Sequence, residues 1–238
     1  MSDYIYVGSE LDLFSHVHNW KAYWSKTIRP YIKGDVLEAG AGIGSNSSLL
    51  DVAGPGNRFV CMEPDPGLAG RLSASATSGP RPREVICGTL QALPATEMFD
   101  TILYIDVLEH IEDDAAELVR AAAHLRPGGR ILAVGPAHQW LFAPFDAAVG
   151  HFRRYNCAMV KRVSPPGLVL ERCNYLDSLG MALSASNRLL LKQSMPTKEQ
   201  LSIWDRFVVP VSLVLDKLLF HSMGKSFVAV WKKPGGAE

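Results

Sequence analysis

As far as Gly135, short runs of consecutive apolar residues alternate with segments whose apolar residues recur every three or four positions. Val36-Leu37, Phe59–Met62, Val85–Cys87, Ile102–Ile105 and Ile131–Val134 are apolar at every position, the pattern of strands buried on both faces. They predict a first strand ending at Glu38, then strands at Arg58–Glu63, from Val85, at Phe99–Asp106 and at Arg130–Gly135. Between them, Leu118, Val119, Ala122 and Leu125 share a helix face behind a D-x-x-E start at Asp114 and Glu117, and Arg126-Pro-Gly-Gly129 stops that helix. Ahead of the first strand, Phe14, Val17, Trp20, Tyr23, Trp24 and Ile28 predict one amphipathic helix across residues 10–32. Strand and helix alternate five times, which implies an α/β fold with a doubly wound, mostly parallel sheet. Two further strands follow at Leu168–Tyr175 and Lys225–Lys232. The apolar segments Leu179–Leu191 and Trp204–Phe220 between them, the second broken by Pro210, read as a helical cap inserted between the last two strands.

In such sheets ligands sit beyond the carboxyl ends of the strands, where Gly40, Glu63, Thr89, Asp106 and Gly135 all fall. The first strand runs straight into Gly40-x-Gly42-x-Gly44 and a polar segment opening a helix, a turn whose backbone approaches a ligand closely. The spacing is one residue shorter than a dinucleotide fingerprint. Glu38, two residues before the first glycine, would repel a pyrophosphate and suit a ligand carrying an ammonium group. Glu63 follows the turn at the interval where a strand-end acid meets a ribose, accepting hydrogen bonds from both hydroxyls.

Glu38-Ala-Gly-Ala-Gly-Ile-Gly44 resembles the first motif of the class I S-adenosylmethionine-dependent methyltransferases, and Asp106-Val-Leu-Glu-His-Ile111 resembles the fourth-strand segment of their small-molecule members. The similarity is strong from Asp35 to Ala137 and looser, but in register, to the end. It implies a Rossmann-like seven-stranded sheet with the last strand antiparallel, and S-adenosylmethionine as cofactor with S-adenosylhomocysteine as product. The residues it assigns to the cofactor are Glu38, Ala39, Gly40, Gly42, Gly44, Glu63, Pro64 as a wall for the adenine, Thr89, Leu90 and Asp106. Thr89 departs from the Asp usual there, so the adenine contact falls to its hydroxyl or to the backbone at Leu90. A helix ahead of the first strand often covers the cofactor in this family, which makes Asn19, Lys21 and Tyr23 possible contacts. One domain over 1–238 is expected: an N-terminal cover (1–33), a cofactor-binding core (34–137), an acceptor-side segment with the sixth strand (138–175), the cap (176–224) and the last strand (225–233).

Methyl transfer needs a base only when the acceptor must lose a proton. His110, His151 and Asp106 are the candidates for that role, while Arg153, Arg154 and Tyr155, in the distinctive string Gly150-His-Phe-Arg-Arg-Tyr155, could hold an anionic acceptor. No metal is called for. Charges balance at 24 basic and 24 acidic, without a basic tract, so nucleic acid is not an expected partner. The four cysteines lack metal or disulfide spacing, and no signal peptide or membrane-spanning run is apparent, consistent with a cytoplasmic protein. A small-molecule or lipid-like acceptor is expected. The cap could line its pocket, dimerise or touch a membrane peripherally, and the oligomeric state is open. The competing readings are a non-catalytic S-adenosylmethionine-binding protein and an NAD-dependent oxidoreductase, the second opposed by the glycine spacing and Glu38.

Overall fold

The computed structural model describes residues 5–6, 8, 11–51, 54, 56–76, 82–190 and 197–235, and the backbone alone for 187–190. The end of the first cap segment, at Leu191, therefore lies outside the described residues. Five parallel strands, β1 (Val36–Ala39), β2 (Phe59–Glu63), β3 (Glu84–Cys87), β4 (Phe99–Ile105) and β5 (Leu125–Pro136), are joined by β6 (Val169–Leu176) and β7 (Ser226–Lys232). The sheet order is β3-β2-β1-β4-β5-β7-β6, and β7 runs antiparallel to both β5 and β6. The helices are α1 (Leu11–Phe14), α2 (His18–Ile28), α3 (Ser47–Leu50), α4 (Pro66–Ser75), α5 (Asp114–Ala123), α6 (Pro144–Ala148), α7 (Cys157–Arg162), α8 (Ser178–Leu190), α9 (Lys198–Ile203) and α10 (Val209–Leu218).

Side chains alternate across the sheet and fill two apolar layers. Val36, Leu103, Leu132 and Val230 pack in one layer with Trp24 and Ile28 of α2; Leu37, Ile102, Ala133 and Trp231 pack in the other with Leu118 and Ala121 of α5. With both faces covered, the inner strands β2, β4 and β7 show almost no polar side and are correspondingly apolar, whereas the edge strands β3 and β6 keep exposed positions.

Four local expectations change. The N-terminal helix is two helices, because the Asp205 carboxylate accepts from the backbone N–H groups of His18, Asn19 and Trp20 and so starts α2 afresh. Arg126-Pro-Gly-Gly129 is an irregularity inside β5, with Gly128 at φ 81° and the pairing to β4 jumping from Phe99–Leu125 to Thr101–Arg130, and α5 ends before it at Ala123. The residue capping α5 is Asp113, whose side chain accepts from Ala116 N, while Asp114 turns inward to Tyr155 and Arg153. Pro210 does not break the cap. The chain keeps helical dihedrals from α9 through a π-helical turn at Trp204–Val208 into α10, and this looser turn falls where proline lacks the N–H an α-helix would use.

Candidate active site

β1, β2 and β4 end together, and the loops beyond them open onto a cavity of about 850 Å³. Gly40, Gly42 and Gly44 all have positive φ, at 67°, 57° and 77°. Gly40 shows why glycine is required: a Cβ there would lie 2.6 Å from the Val107 side chain. The loop is pinned across the β1–β2 junction. Ala41 N–H donates to Met62 O (2.9 Å) and Gly42 N–H to Glu63 Oε2 (2.8 Å), while Asp65 N–H donates to Glu63 Oε1 (2.9 Å). Glu63 thus fixes the glycine turn with one lone pair on each oxygen and retains another on each for a ligand. Burial holds its carboxyl above the usual range against the pull of those two N–H groups.

Ala39, Gly40, Gly42, Glu63, Pro64, Thr89, Leu90 and Asp106 all border the cavity, and Asp106 ends β4 with φ at 54°. Lys21 of α2 reaches in from the covering side. Its ammonium donates to Ser45 Oγ (3.0 Å) and faces Glu38 and Asp106, while burial lowers its pKa. Asn19 instead donates to Asp205 O and Tyr23 to Asp216, away from the loop.

Glu38 departs from expectation. It sits one residue out of step with Ala39, so its side chain turns to the Val36 face, beneath α3, and does not line the cavity. It is buried and accepts from Ser47 Oγ at 2.5 Å, with Cys61 Sγ 3.9 Å away. Desolvation raises its pKa to about 7 despite the Ser47 hydrogen bond. Any influence on a ligand's ammonium passes through the loop or Lys21, not through direct contact.

On the opposite wall, the segment after β5 brings in a buried charge cluster. Asp146, wholly buried, accepts from Arg154 Nε (2.8 Å) and Nη2 (2.9 Å) and from His151 Nδ1 (2.8 Å); these partners hold its carboxyl below the ordinary range although burial opposes them. With Asp146 ionised, His151 Nδ1 is the donor in this hydrogen bond. His110 stacks edge-on to His151, ring centroids 4.5 Å apart, and desolvation lowers its pKa to about 4, so it is neutral at pH 7. Both histidines border the cavity.

Arg153 and Tyr155 do not. Arg153 pairs with Asp114 at 2.8 Å and donates to Ile111 O and Glu112 O; Tyr155 is buried, its hydroxyl donating to Asp114 Oδ2 at 2.6 Å. Their partners consume the groups that would have held an acceptor. Arg154 borders the cavity; its Nε and Nη2 are committed to Asp146, while its buried Nη1 has no hydrogen-bond partner among the described residues.

In the sequence Glu109 stands out only as a second carboxylate near Asp106 that leaves a metal site possible, and Asp146 only as a surface acid open to pairing with Arg153 or Arg154. Glu109 is buried, neither carboxylate oxygen has a hydrogen-bond partner among the described residues, and desolvation followed by the charge of Asp106 raises its pKa well above the ordinary range. Glu109, His110 and His151 hold donor atoms within 4.8 Å of one another, a set that could bind a divalent cation where no metal was called for. The adjacent Glu109-His110 was visible in the sequence; its meeting with His151 was not.

The family model described as "Methyltransferase domain" matches residues 37–131, the stretch that carries the glycine loop, Glu63 and β4. Over that stretch the chain is similar to a methyltransferase domain, in line with the resemblance to the class I S-adenosylmethionine-dependent methyltransferases. Ubiquinone biosynthesis O-methyltransferases from Paramagnetospirillum magneticum and a Bradyrhizobium strain are similar to it. The first is 34% identical over 106 residues (43% of this chain, 40% of the relative), the second 29% over 85 residues (36% and 34%). The chain therefore spans about a third to two fifths of the length of the curated relatives it matches. Among solved structures, a methyltransferase in complex with its Trm112 activator from Haloferax volcanii superposes with a TM-score of 0.59, at 17% identity, covering 91% of this chain and 90% of that one. That likeness shows the fold.

The cofactor of the methyltransferases that residues 37–131 resemble is S-adenosylmethionine, and the residues at this cavity fit it on structural grounds. The Glu63 oxygens suit a ribose diol, the Lys21 ammonium suits a carboxylate, and the loop at Gly40 and Gly42 leaves no side chain over the cavity floor.

Proposed function

We propose that this protein transfers a methyl group from S-adenosylmethionine to a hydroxyl of a small or lipid-like apolar acceptor. One observation carries the reading. A single cavity joins the loop pinned by Glu63 to a histidine oriented by a buried carboxylate. When bound, the cofactor supplies an activated methyl group on a sulfonium, open to in-line displacement. Glu63 accepts from the ribose hydroxyls, Leu90 packs beside the adenine, and Lys21 meets the methionyl carboxylate. His151 Nε2 takes the acceptor's proton, and the Asp146 carboxylate, held by Arg154, keeps the ring in that tautomer and steadies the imidazolium that results. Phe14, Trp20, Phe142, Phe145, Leu201 and Trp204 supply an apolar wall that excludes water and suits an apolar acceptor. On this reading residues 34–137 hold the donor, while 138–175 and the cap at 176–224 face the acceptor. The O-methyltransferase name of the two curated relatives favours a hydroxyl over other acceptor atoms.

The test begins with titration of S-adenosylhomocysteine, expected to bind. Labelled methyl transfer is then assayed on a panel of phenols, aliphatic alcohols, carboxylic acids and amines. Label on a hydroxyl is expected, with turnover lowered about 10²–10⁴-fold in His151→Asn while S-adenosylhomocysteine affinity is kept. Transfer to a carboxylate or amine that ignores His151→Asn refutes the acceptor assignment, and failure to bind S-adenosylhomocysteine refutes the methyltransferase reading itself.

A further inference from the structure

The helix running from α9 through α10 buries its acids and carries apolar residues on both its inner and its outer side. Asp205, Ser212 and Asp216 face inward and are buried: Asp205 caps α2, Asp216 accepts from the backbone of Asp177 and Ser178 and from Tyr23, and Ser212 donates to Asp177. Outward, at spacings of three and four, stand Ile203, Phe207, Val211, Val214 and Leu218, each about half exposed or more, followed by Phe220 at 90%. An ordinary surface helix turns its apolar stripe to the core. Here the core side holds the ionisable groups together with Leu201, Val209 and Leu213, and a further apolar stripe faces out.

The charges beside that stripe share one sign. Between Ile203 and Met223 the exposed charged residues are Arg206 and Lys217, and both acids of the segment are turned inward and hydrogen-bonded. A second copy docking through the same patch about a two-fold axis would bring a cationic surface against itself. An anionic lipid surface would complement it. At about 1.5 Å per residue the helical stretch from Ile203 to Leu218 presents roughly 24 Å of such a face. Among the described residues no helix is long and apolar enough to cross a membrane.

We propose that this face docks flat on an anionic bilayer, with the Phe207, Val211, Val214 and Leu218 side chains entering the headgroup–acyl boundary and Arg206 and Lys217 reaching up to lipid phosphates. The inner side of the same helix contributes Leu201 and Trp204 to the cavity wall, so docking sets the cavity beside the lipid phase. The binding itself is independent of which reaction the site performs.

Flotation of the full chain with vesicles of phosphatidylcholine alone, or of phosphatidylcholine mixed with phosphatidylglycerol, tests this. The protein is expected to float with the anionic vesicles, about tenfold or more in excess over the neutral ones, and to be released by salt. Arg206→Gln with Lys217→Gln, and separately Phe207→Ser with Leu218→Ser, should each lower the bound fraction about tenfold without changing the thermal transition, since all four side chains are exposed. Absence of anionic-vesicle binding by the unaltered protein overturns the proposal. So does equal binding to neutral vesicles, or a stable dimer in sedimentation equilibrium that Phe207→Ser dissolves.

Discussion

Glu38→Gln separates a buried carboxyl from a ligand-facing one through the pH dependence of stability. In the fold the Glu38 pKa rises from about 4.5 to about 7, with desolvation the largest cause. Between those values the native state binds more protons than the unfolded chain, so stability falls as pH rises through the window. The full shift corresponds to roughly 3 kcal/mol at 1.36 kcal/mol per pKa unit, of which about 2–3 kcal/mol is lost between pH 5 and pH 8. Glutamine keeps the size of the side chain and an oxygen to accept from Ser47, but cannot ionise. Other buried acids, Glu109 and Glu63, also have raised pKa values, so the informative quantity is the difference between wild type and variant. Urea unfolding at pH 5, 6, 7 and 8 should show the variant gaining on wild type by about 2–3 kcal/mol across the series, a relative midpoint shift of about 1 M. Parallel curves, with a constant offset at every pH, would refute the burial argument and return Glu38 to an ionised, cavity-facing role.

Three shorter expectations address the cofactor side. Glu63→Gln must turn its amide nitrogen toward the Gly42 or Asp65 N–H and loses a charged acceptor for the ribose, so calorimetry should find S-adenosylhomocysteine weakened about 10–100-fold. Lys21→Met should weaken S-adenosylhomocysteine about tenfold yet leave methylthioadenosine, which lacks the carboxylate, unaffected; equal losses for both would show that Lys21 acts only on the loop. Gly40→Ala places a Cβ 2.6 Å from Val107 at positive φ, a cost of about 2 kcal/mol that calorimetry should register as a Tm lower by about 4–8 °C.

Much of the α/β framework was readable from the chain because its physics is local. A parallel strand covered on both faces must be apolar throughout, so β2, β4 and β5 announced themselves. A backbone held at positive φ against Val107 must be glycine, so the loop did too. Strand-end position then gathered Gly40, Glu63, Thr89 and Asp106 at one rim before any contact was known.

What tertiary structure decided depends on partners distant in sequence or on orientation. Asp205, 187 positions beyond His18, splits the N-terminal helix, because a carboxylate from the cap satisfies N–H groups that residues 10–17 leave open. The side-chain alternation of β1 turns Glu38 away from the cavity, and a composition of glycines and acids carries no record of that parity. Asp146 joins His151 and Arg154 only because α6 meets the Gly150–Tyr155 segment, pairing a candidate base with a residue expected to hold the acceptor through one buried carboxylate. The sequence by itself determined which backbone could be built and where a ligand must lie, since these follow from each residue's own conformational and burial preferences. Which charged side chain faces that ligand was left to the fold, because a buried charge is held wherever partners can satisfy it.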